Sequence, residues 1–192
     1  MVGLRVAVVA DTHGFLDPRV AAWVNDCDVA VHAGDVGSAD VLLALQPRKE
    51  VVAIRGNNDT PHTWSAGEQH LLATLPREAS VELPGGRLAV LHGDDGGSLE
   101  QRHRRYRRYY PDAAAVVYGH SHRLLMDQTT TPWLLNPGAA GRTRTDGGPS
   151  CLILSCDAEH WQVESVRFEP RRYPAVRRQP GGNSDAAVSD ED

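Results

Sequence analysis

The sequence predicts an α/β fold in which two β-sheets form a sandwich and helices flank them, and three observations support this prediction. Short apolar runs alternate with helical patterns in the first half of the chain, which is typical of βαβ units and a mainly parallel sheet. From residue 79 onward apolar residues occupy alternate positions, which indicates a second, largely antiparallel sheet. The chain has 192 residues, of which 41% are hydrophobic and 23% charged, so it is long enough for one globular domain.

The first half is predicted to contain three strands and two helices. The strands are LRVAVVA (4–10), DVAVHAG (28–34) and VVAIRG (51–56). Asp17, followed by Pro18, supplies the N-cap and the first position of a helix. The apolar face of that helix contains Val20, Trp23, Val24 and Cys27. Ser38 can cap the second helix through its hydroxyl group. The inward face of the second helix contains Val41, Leu42 and Leu45.

The second half is predicted to begin with a hairpin and to continue with one helix and four further strands. The hairpin spans residues 79–93 and turns at Pro84-Gly85-Gly86. Ser98 and Gln101 form a capping box for a helix that ends at Pro111. The remaining strands are AAAVVYG (113–119), PWLLN (132–136), SCLILSC (150–156) and WQVESVRF (161–168).

Composition limits the domain organisation and the possible partners. Residues 1–170 are expected to form the folded domain, and residues 171–192, which lack an apolar period, a disordered polar tail. No apolar run approaches the roughly 20 residues that cross a bilayer, and no leader pattern precedes the first strand, so we expect a cytoplasmic protein without a membrane partner. The net charge of −5 argues against general nucleic-acid binding, although nucleic acid stays possible as a partner, as does a homo-oligomer.

The three cysteines are interpreted as buried free thiols. Their number is odd, and the spacing of Cys27, Cys151 and Cys156 matches no zinc-ribbon or redox motif. Cys151 and Cys156 lie on one predicted strand at an odd separation, so their side chains should point to opposite faces of the sheet.

Seven possible ligands follow predicted strands at the carboxyl end of each. They are Asp11, His13, Asp35, Asn57, His92, His120 and His122. The carboxyl ends of strands in α/β sheets meet at one crevice, so these side chains are expected to converge. Alone, each is more often a structural residue than a ligand. Together, unpaired buried carboxylates and imidazoles would cost several kcal/mol, and a metal ion removes that cost.

The composition of this cluster indicates the class of metal. Carboxylate, imidazole and amide oxygen without cysteine suit manganese, iron or zinc better than copper(I) or an iron–sulfur cluster. Seven ligands are too many for one ion. Divided between two ions about 3.5–4 Å apart, with one bridging carboxylate, they form the arrangement used for phosphoryl displacement, so the cluster predicts phosphoester chemistry.

The ordered motifs DTHG, GD, GNND, HG and GHSH resemble the calcineurin-like metallophosphoesterase superfamily, and NPGA (136–139) is similar to its small bacterial and archaeal phosphodiesterase branch. The resemblance covers residues 4 to about 168. It implies two divalent ions, with Mn²⁺ expected and Zn²⁺, Fe and Ni²⁺ as alternatives. By resemblance, Asp11, His13 and His122 bind the first ion and Asn57, His92 and His120 the second. Asp35 and a water or hydroxide then bridge the two ions.

Six positions in or near these motifs are interpreted individually. Asp35, Asn58 and Asp59 are assigned to catalysis, and Asn58 and Arg142 to substrate binding. Asn58 stands where the family often has a histidine that assists the leaving group, and it cannot give up a proton. Asp59 either orients a ligand or is a turn residue, and we favour the first. Asp94 replaces a histidine of the small branch, which affects substrate choice. His32 is interpreted as a buried structural histidine.

The stretch LEQRHRRYRRYYP (99–111) is basic within an acidic protein. Its inward stripe contains Leu99, His103, Tyr106 and Tyr110. Its arginines are Arg102, Arg104, Arg105, Arg107 and Arg108. They either steer phosphorylated substrates toward the metals or form a solvated face paired with carboxylates, and we favour the second interpretation.

Three functions remain open on the sequence. The first is a phosphodiesterase that acts on small phosphodiesters or nucleotides. The second is a phosphomonoesterase or dinucleoside polyphosphate hydrolase on the same scaffold. The third is a non-catalytic scaffold resembling the subunit of the retromer complex that is similar to this branch. All seven candidate ligands are present, which favours an enzyme.

Overall fold

Two five-stranded sheets form the framework of the protein in the computed structural model, which describes residues 3–142 and 144–171. The elements in chain order are β1 (Leu4–Val9), α1 (Pro18–Asn25), β2 (Val29–Ala33), α2 (Ala39–Ala44), β3 (Glu50–Ile54), a 3-10 turn (Ala66–Glu68), α3 (Gln69–Thr74), β4 (Glu78–Leu83), β5 (Gly86–Leu91), α4 (Leu99–Tyr109), β6 (Ala115–Tyr118), β7 (Leu124–Asp127), β8 (Trp133–Pro137), β9 (Ser150–Cys156) and β10 (Trp161–Arg167). The tail predicted for residues 171–192 lies outside the described residues, apart from Arg171.

Both sheets are mixed. The first has the strand order β10-β9-β1-β2-β3. Its strands β1, β2 and β3 are parallel to one another, β9 is antiparallel to β1, and β10 is antiparallel to β9. The second has the order β4-β5-β6-β8-β7. Its three central strands are parallel and only its edge strands β4 and β7 pair in antiparallel fashion, so the prediction of a largely antiparallel second sheet was wrong. The reason is that α4 connects β5 to β6 as a crossover helix, which makes these strands parallel.

The core is divided by the alternation of side chains along the strands. Val6 and Val8 of β1 point between the sheets, where they pack with Val90 of β5 and Leu135 of β8. Ala7, between them on β1, faces the layer of α1 and α2. A third cluster packs α4 against the far side of the second sheet. The two-sheet sandwich with flanking helices is therefore confirmed.

Two details of β9 and α1 match the sequence predictions. Cys156 lies in the core between the sheets and Cys151 in the layer under the helices, as their odd separation predicted. Both cysteines, like Cys27, are free and buried. The Asp17 carboxylate caps α1 by accepting a hydrogen bond from the backbone N–H of Arg19 at 2.9 Å.

Other local predictions were incomplete. Ser38 occupies the N-cap position of α2, but its hydroxyl makes no cap bond; Glu68 Oε1 accepts a hydrogen bond from the Ala39 N–H at 2.9 Å. The sequence analysis missed α3, the 3-10 turn before it, and strand β7. Leu99 was expected to point inward, yet it is 45% exposed, whereas His103 and Tyr106 are buried. None of the helices within the described ranges has the length and apolar character needed to cross a membrane.

Candidate metal centre

The structure brings all seven predicted ligands to one edge of the sandwich. Each lies just beyond the carboxyl end of β1, β2, β3, β5 or β6. Backbone hydrogen bonds join neighbouring loops there, from Asp11 N to Gly34 O at 3.0 Å and from Gly119 N to His92 O at 3.0 Å. The His120 N–H donates to Asp11 Oδ1 at 3.3 Å, which joins a loop of the second sheet to one of the first, so the two sheets contribute to the same crevice.

The backbone at this crevice is unusual. Six non-glycine residues in the described part of the chain have a positive φ. Five of them are predicted ligands, with φ between 48° and 67°, and the sixth is Arg144. Left-handed backbone is unfavourable for residues other than glycine, and such strain concentrates at functional sites. The strain sets this group of residues apart from the rest of the fold.

One half of the crevice contains Asp11, His13 and His122. His122 Nε2 lies 3.4 Å from Asp11 Oδ1 and 3.2 Å from His13 Nε2. His13 Nε2 also lies 3.8 Å from Asp35 Oδ2. One atom from each of Asp11, His13 and His122 can be chosen so that all three lie within 4.8 Å of one another, a spacing that suits a metal ion.

The other half contains Asn57, His92 and His120. Asn57 Oδ1 lies 3.1 Å from His92 Nε2 and 3.0 Å from His120 Nδ1. His92 Nε2 lies 3.4 Å from Asp35 Oδ1. Asp35 therefore directs one oxygen to each half, which is the placement that a bridging carboxylate needs. Asp11 is also central, because it forms a second compact group with Asp35 and His92.

The hydrogen-bonding pattern of these side chains leaves acceptor atoms that a cation could bind. His122 Nδ1 lies 3.0 Å from the Arg144 carbonyl oxygen and His92 Nδ1 lies 2.9 Å from the Ala33 carbonyl oxygen. Each Nδ1 therefore carries a proton, so whenever the ring is neutral its Nε2 directs a lone pair at the side chains around it. Asp11 Oδ2 is buried and has no hydrogen-bond partner among the described residues. With neutral rings, the acceptor nitrogens of the imidazoles and the acceptor oxygens of the cluster face one another around this Asp11 oxygen. Such an arrangement fits a divalent metal ion.

The pKa values of the central side chains also indicate that the cluster is stabilised by positive charge. Burial raises the pKa of Asp11 to about 7. Burial alone would lower the pKa of His92, but its hydrogen bond to Asp35 and the charge of Asp35 outweigh burial and raise it to about 9. Burial would likewise raise the pKa of Asp35, yet His92 and the two donors of Asn58 hold it below its ordinary value. Without metal, a proton supplies the positive charge.

The imidazoles of the outer positions are held neutral. Burial, with smaller contributions from the charges of His13 and Arg144, lowers the pKa of His122 to about 4. Burial also lowers the pKa of His120, as do the positive charges of His92 and Arg102. Neutral imidazoles are the form that binds metal ions.

Gly56 lies where the two halves meet, and a side chain there would occupy the crevice. A Cβ atom on Gly56 would overlap Asp35 Oδ1 and would lie 2.7 Å from His92 Nε2. We expect Gly56→Ala to displace these side chains and to lower metal affinity at least about tenfold. The measurement is metal content after dialysis against limiting manganese. Gly67→Ala is the control, because nothing lies within 4 Å of a Cβ at that position. Equal metal content in the two variants would contradict the expectation.

Asp59 acts through the backbone of the neighbouring loops. Its carboxylate accepts hydrogen bonds from the backbone N–H groups of Val36 at 3.0 Å, Gly37 at 2.8 Å and Gly56 at 2.9 Å, and from Trp64 Nε1 at 2.9 Å. These bonds tie the loop after β2 to the loop after β3. Asp59 thus joins the loops that carry Asp35 and Asn57, and among the described residues its carboxylate bonds backbone groups and Trp64 rather than an imidazole. Trp64 was not singled out in the sequence.

His32 is fully buried and both of its ring nitrogens have partners. Nδ1 accepts a hydrogen bond from Gly34 N at 3.2 Å, and Nε2 lies 2.8 Å from Thr12 Oγ1. Thr12 in turn donates to the Val36 carbonyl at 2.9 Å. Burial lowers the pKa of His32 to about 4, so the ring is neutral. His32 is a structural histidine, as the sequence analysis favoured.

The two arginines after NPGA make different contacts. Arg142 lies over the ring of Phe15, with its Cζ atom 5.0 Å from the ring centroid. Arg144 Nη2 lies 2.9 Å from His13 Nε2, and its carbonyl contacts His122. Arg142 stays the predicted substrate contact, and the sequence analysis did not single out Arg144, for which its position shortly after NPGA is the available signal.

Two clefts open beside His13. The larger, of about 610 Å³, is lined on one side by Phe15, Leu16 and Val41 and also reaches Arg142. The smaller, of about 370 Å³, is lined by Asp35, Asn58, Asp59 and His62. His13 belongs to both clefts, so a small molecule with one group at the cluster has adjoining space for a second group.

Comparisons with known proteins agree with this geometry. A probable metallophosphoesterase from Methanothermobacter thermautotrophicus is 27% identical over 170 residues, which cover 85% of this chain and 92% of that protein. Vps29 from Entamoeba histolytica has a similar structure, with a TM-score of 0.66 at 18% identity over 86% of this chain and 100% of that chain. A structure described as a novel archaeal phosphodiesterase matches with a TM-score of 0.65 at 20% identity, over 85% of this chain and 100% of that one.

The structural matches show the shared fold, and the family model shows membership. The model of the calcineurin-like phosphoesterase superfamily domain matches residues 4–159, which include every motif of the crevice. The sequence match, the two-sheet fold and the cluster of metal-binding side chains agree. This chain belongs to the calcineurin-like phosphoesterase superfamily.

Proposed function

We propose that the protein is a metal-dependent phosphodiesterase that hydrolyses small phosphodiesters at this crevice. The observation that carries the proposal is the position of Asp35, whose two oxygens face two separate sets of side chains. When bound, two divalent cations would supply an activated water at neutral pH and positive charge for the phosphoryl oxygens. The crevice supplies the matching set of oxygen and nitrogen atoms.

Each half of the crevice would hold one ion. Asp11, His13 and His122 would bind the first, Asn57, His92 and His120 would bind the second, and Asp35 would bind both. The donor set suits Mn²⁺ first, with Zn²⁺, Fe and Ni²⁺ as alternatives. Asp11 and Asp35 contribute two negative charges against four positive ones, so the loaded site stays positive. A positive site attracts an anionic phosphate and stabilises the charge that builds on its oxygens.

Asn58 lies beside the bridging carboxylate. Its side-chain amide donates a hydrogen bond to Asp35 Oδ2 at 2.7 Å, and its backbone N–H donates to Asp35 Oδ1 at 2.9 Å. The amide borders the smaller cleft, where it can donate a hydrogen bond to a substrate oxygen. An amide cannot transfer a proton, so the leaving alcohol receives no acid assistance from this position.

We expect Asn58→His to speed the hydrolysis of substrates with poor leaving groups by about tenfold or more, since general acid catalysis contributes about 10²–10⁴ in rate. Bis(p-nitrophenyl) phosphate, whose leaving group needs no proton, should change little. The measurement is kcat on this ester and on a dinucleoside monophosphate, with equal metal content in both proteins. No selective gain on the dinucleoside substrate would contradict the role given to position 58.

A phosphoester panel tests the proposal itself. Activity on bis(p-nitrophenyl) phosphate well above that on p-nitrophenyl phosphate, with manganese, zinc, nickel or magnesium, supports a phosphodiesterase. The reverse preference supports a phosphomonoesterase. Preferred cleavage of a dinucleoside polyphosphate supports the third activity that this site could perform. Metal analysis of the same preparations shows whether two ions bind.

The similarity of the fold to Vps29 favours one alternative of another class, a non-catalytic scaffold. A scaffold does not need its metal ligands, whereas all seven side chains are present here in a compact arrangement. A protein that binds two metal ions but hydrolyses no phosphoester would support the scaffold.

A further inference from the structure

Most of the charged side chains on α4 have partners among the surface carboxylates. Arg105 Nη2 lies 2.7 Å from Asp95 Oδ2, and Arg107 Nη2 lies 2.7 Å from Asp127 Oδ2. Arg104 forms a looser i,i+4 pair with Glu100 at 3.5 Å. These three arginines fit the interpretation of a solvated face. Arg102 and Arg108 form no such pair within residues 3–142 and 144–171.

The fold places the first turn of α4 at the edge that carries the metal crevice. Because β5 and β6 are parallel, the crossover helix between them must run back along the sheet, from the carboxyl end of β5 to the start of β6. His92 follows β5 and His120 follows β6, so both lie at the end where α4 begins. The last turn of α4 lies at the opposite edge.

Side-chain contacts fix the helix in this position. His103 Nε2 lies 2.8 Å from the Tyr118 hydroxyl, and Tyr118 is two residues before His120. The Tyr106 hydroxyl donates to Asp95 Oδ1 at 2.9 Å, in the loop that follows His92. Arg102 precedes His103 directly and Tyr106 by one turn, so it lies on the side of α4 that packs toward the crevice.

Arg102 is half-buried there, and its side chain has no partner among the residues that the structure describes. Its Nε is buried and has no hydrogen-bond partner, and no hydrogen bond or ion pair holds its guanidinium group within the described ranges. The Asp94 carboxylate, in the loop after β5, lies 3.9 Å from Arg77. Buried charged groups are normally paired, so an unpaired arginine beside an anion-binding crevice needs an explanation.

We propose that Arg102 is a substrate-binding residue that holds a phosphate oxygen of the substrate on the His120 side of the crevice. The guanidinium group presents a planar set of donors that matches a phosphate. Folding has already removed part of the Arg102 side chain from water, so substrate binding does not bear that cost again. Arg102 thus differs in role from the other arginines of α4. This inference rests on the proposed phosphoesterase function and adds a contact on the substrate.

The test compares two arginines of one helix. Arg102→Gln and Arg108→Gln remove the same charge from α4, but Arg108 is exposed and lies near the end of the helix away from the crevice. We expect Arg102→Gln to raise KM for bis(p-nitrophenyl) phosphate about tenfold or more, because a hydrogen bond to a charged group is lost. Arg108→Gln should stay within about twofold at about 0.15 M salt, where distant charges are screened. The melting temperature of both variants should match that of the parent protein.

Two further measurements complete the test. A substrate with a second phosphate group, thymidine 3′-phosphate 5′-(p-nitrophenyl phosphate), shows which phosphate is held: a larger KM effect than on bis(p-nitrophenyl) phosphate assigns the contact to the second phosphate, and an equal effect to the reacting one. Calorimetric titration of the manganese-loaded proteins with inorganic phosphate gives an affinity that does not depend on turnover.

The outcomes separate the inference from the function. Equal effects of Arg102→Gln and Arg108→Gln on KM and on phosphate affinity would overturn the role of Arg102, while turnover by the parent protein would leave the proposed function intact. Absence of turnover by the parent protein, together with phosphate binding that is lost only in Arg102→Gln, would reject the phosphoesterase and retain the anion site.

Discussion

Asp35→Asn is expected to reduce phosphodiester hydrolysis by about a thousandfold or more, because one substitution removes a ligand from both halves of the crevice. Its Oδ2 faces His13 and its Oδ1 faces His92. An asparagine keeps the size of the side chain but has only one oxygen and no charge. Its amide group would also face a donor of Asn58, whose two N–H groups now bond the carboxylate at 2.9 and 2.7 Å.

Three measurements check this expectation. Metal content should fall below that of the parent protein, kcat/KM should fall by the stated factor, and the circular dichroism spectrum should be unchanged. Asp112→Asn is the matched control, since it makes the same chemical change at an exposed position. An Asp35→Asn variant that keeps two bound metal ions and normal turnover would rule out a bridging role for Asp35.

The sequence predicted the members of this crevice well because their positions follow from a simple rule. Asp35 and His92 each follow an apolar run directly, and the carboxyl ends of parallel strands must meet at one edge. The rule needs only strand boundaries, which the apolar runs show. It does not need the pairing direction of each strand, which explains why the convergence of these side chains was predicted although the second sheet was described as largely antiparallel.

Features that depend on tertiary contact were beyond such a rule. Hydrophobic alternation in β5 and β8 reports which face is buried and carries no information on the direction of the neighbouring strand. Ser38 has the residue type of a good N-cap but makes no cap bond, and the Glu68 carboxylate, 30 positions later, accepts a hydrogen bond from the first N–H of the helix. The left-handed backbone of His122 contradicts local propensity and persists because the surrounding loops fix it.

The role of Asp59 also arises from tertiary contact, and it leads to a large expected loss of stability. Asp59→Ala removes the acceptor for three backbone N–H groups and for Trp64 Nε1, all at 2.8–3.0 Å. Buried donors without acceptors cost about 1–3 kcal/mol each, partly recovered by water, so we expect the free energy of unfolding to fall by about 3–5 kcal/mol. For a domain of this size that corresponds to a melting temperature lower by about 10 °C.

Calorimetry with a chelator in the buffer is the measurement that isolates this effect, because bound metal would add its own stabilisation to the parent protein. Without metal, a residue that only contacts an ion or the substrate contributes nothing to the melting temperature, whereas one that joins two loops contributes fully. Asp112→Ala, at an exposed position, should leave the transition unchanged. Asp59→Asn should fall between the two, since it keeps one acceptor oxygen. Lost turnover in Asp59→Ala at an unchanged melting temperature would instead assign Asp59 to direct contact with metal or substrate, because the loops that carry Asp35 and Asn57 would then hold without it.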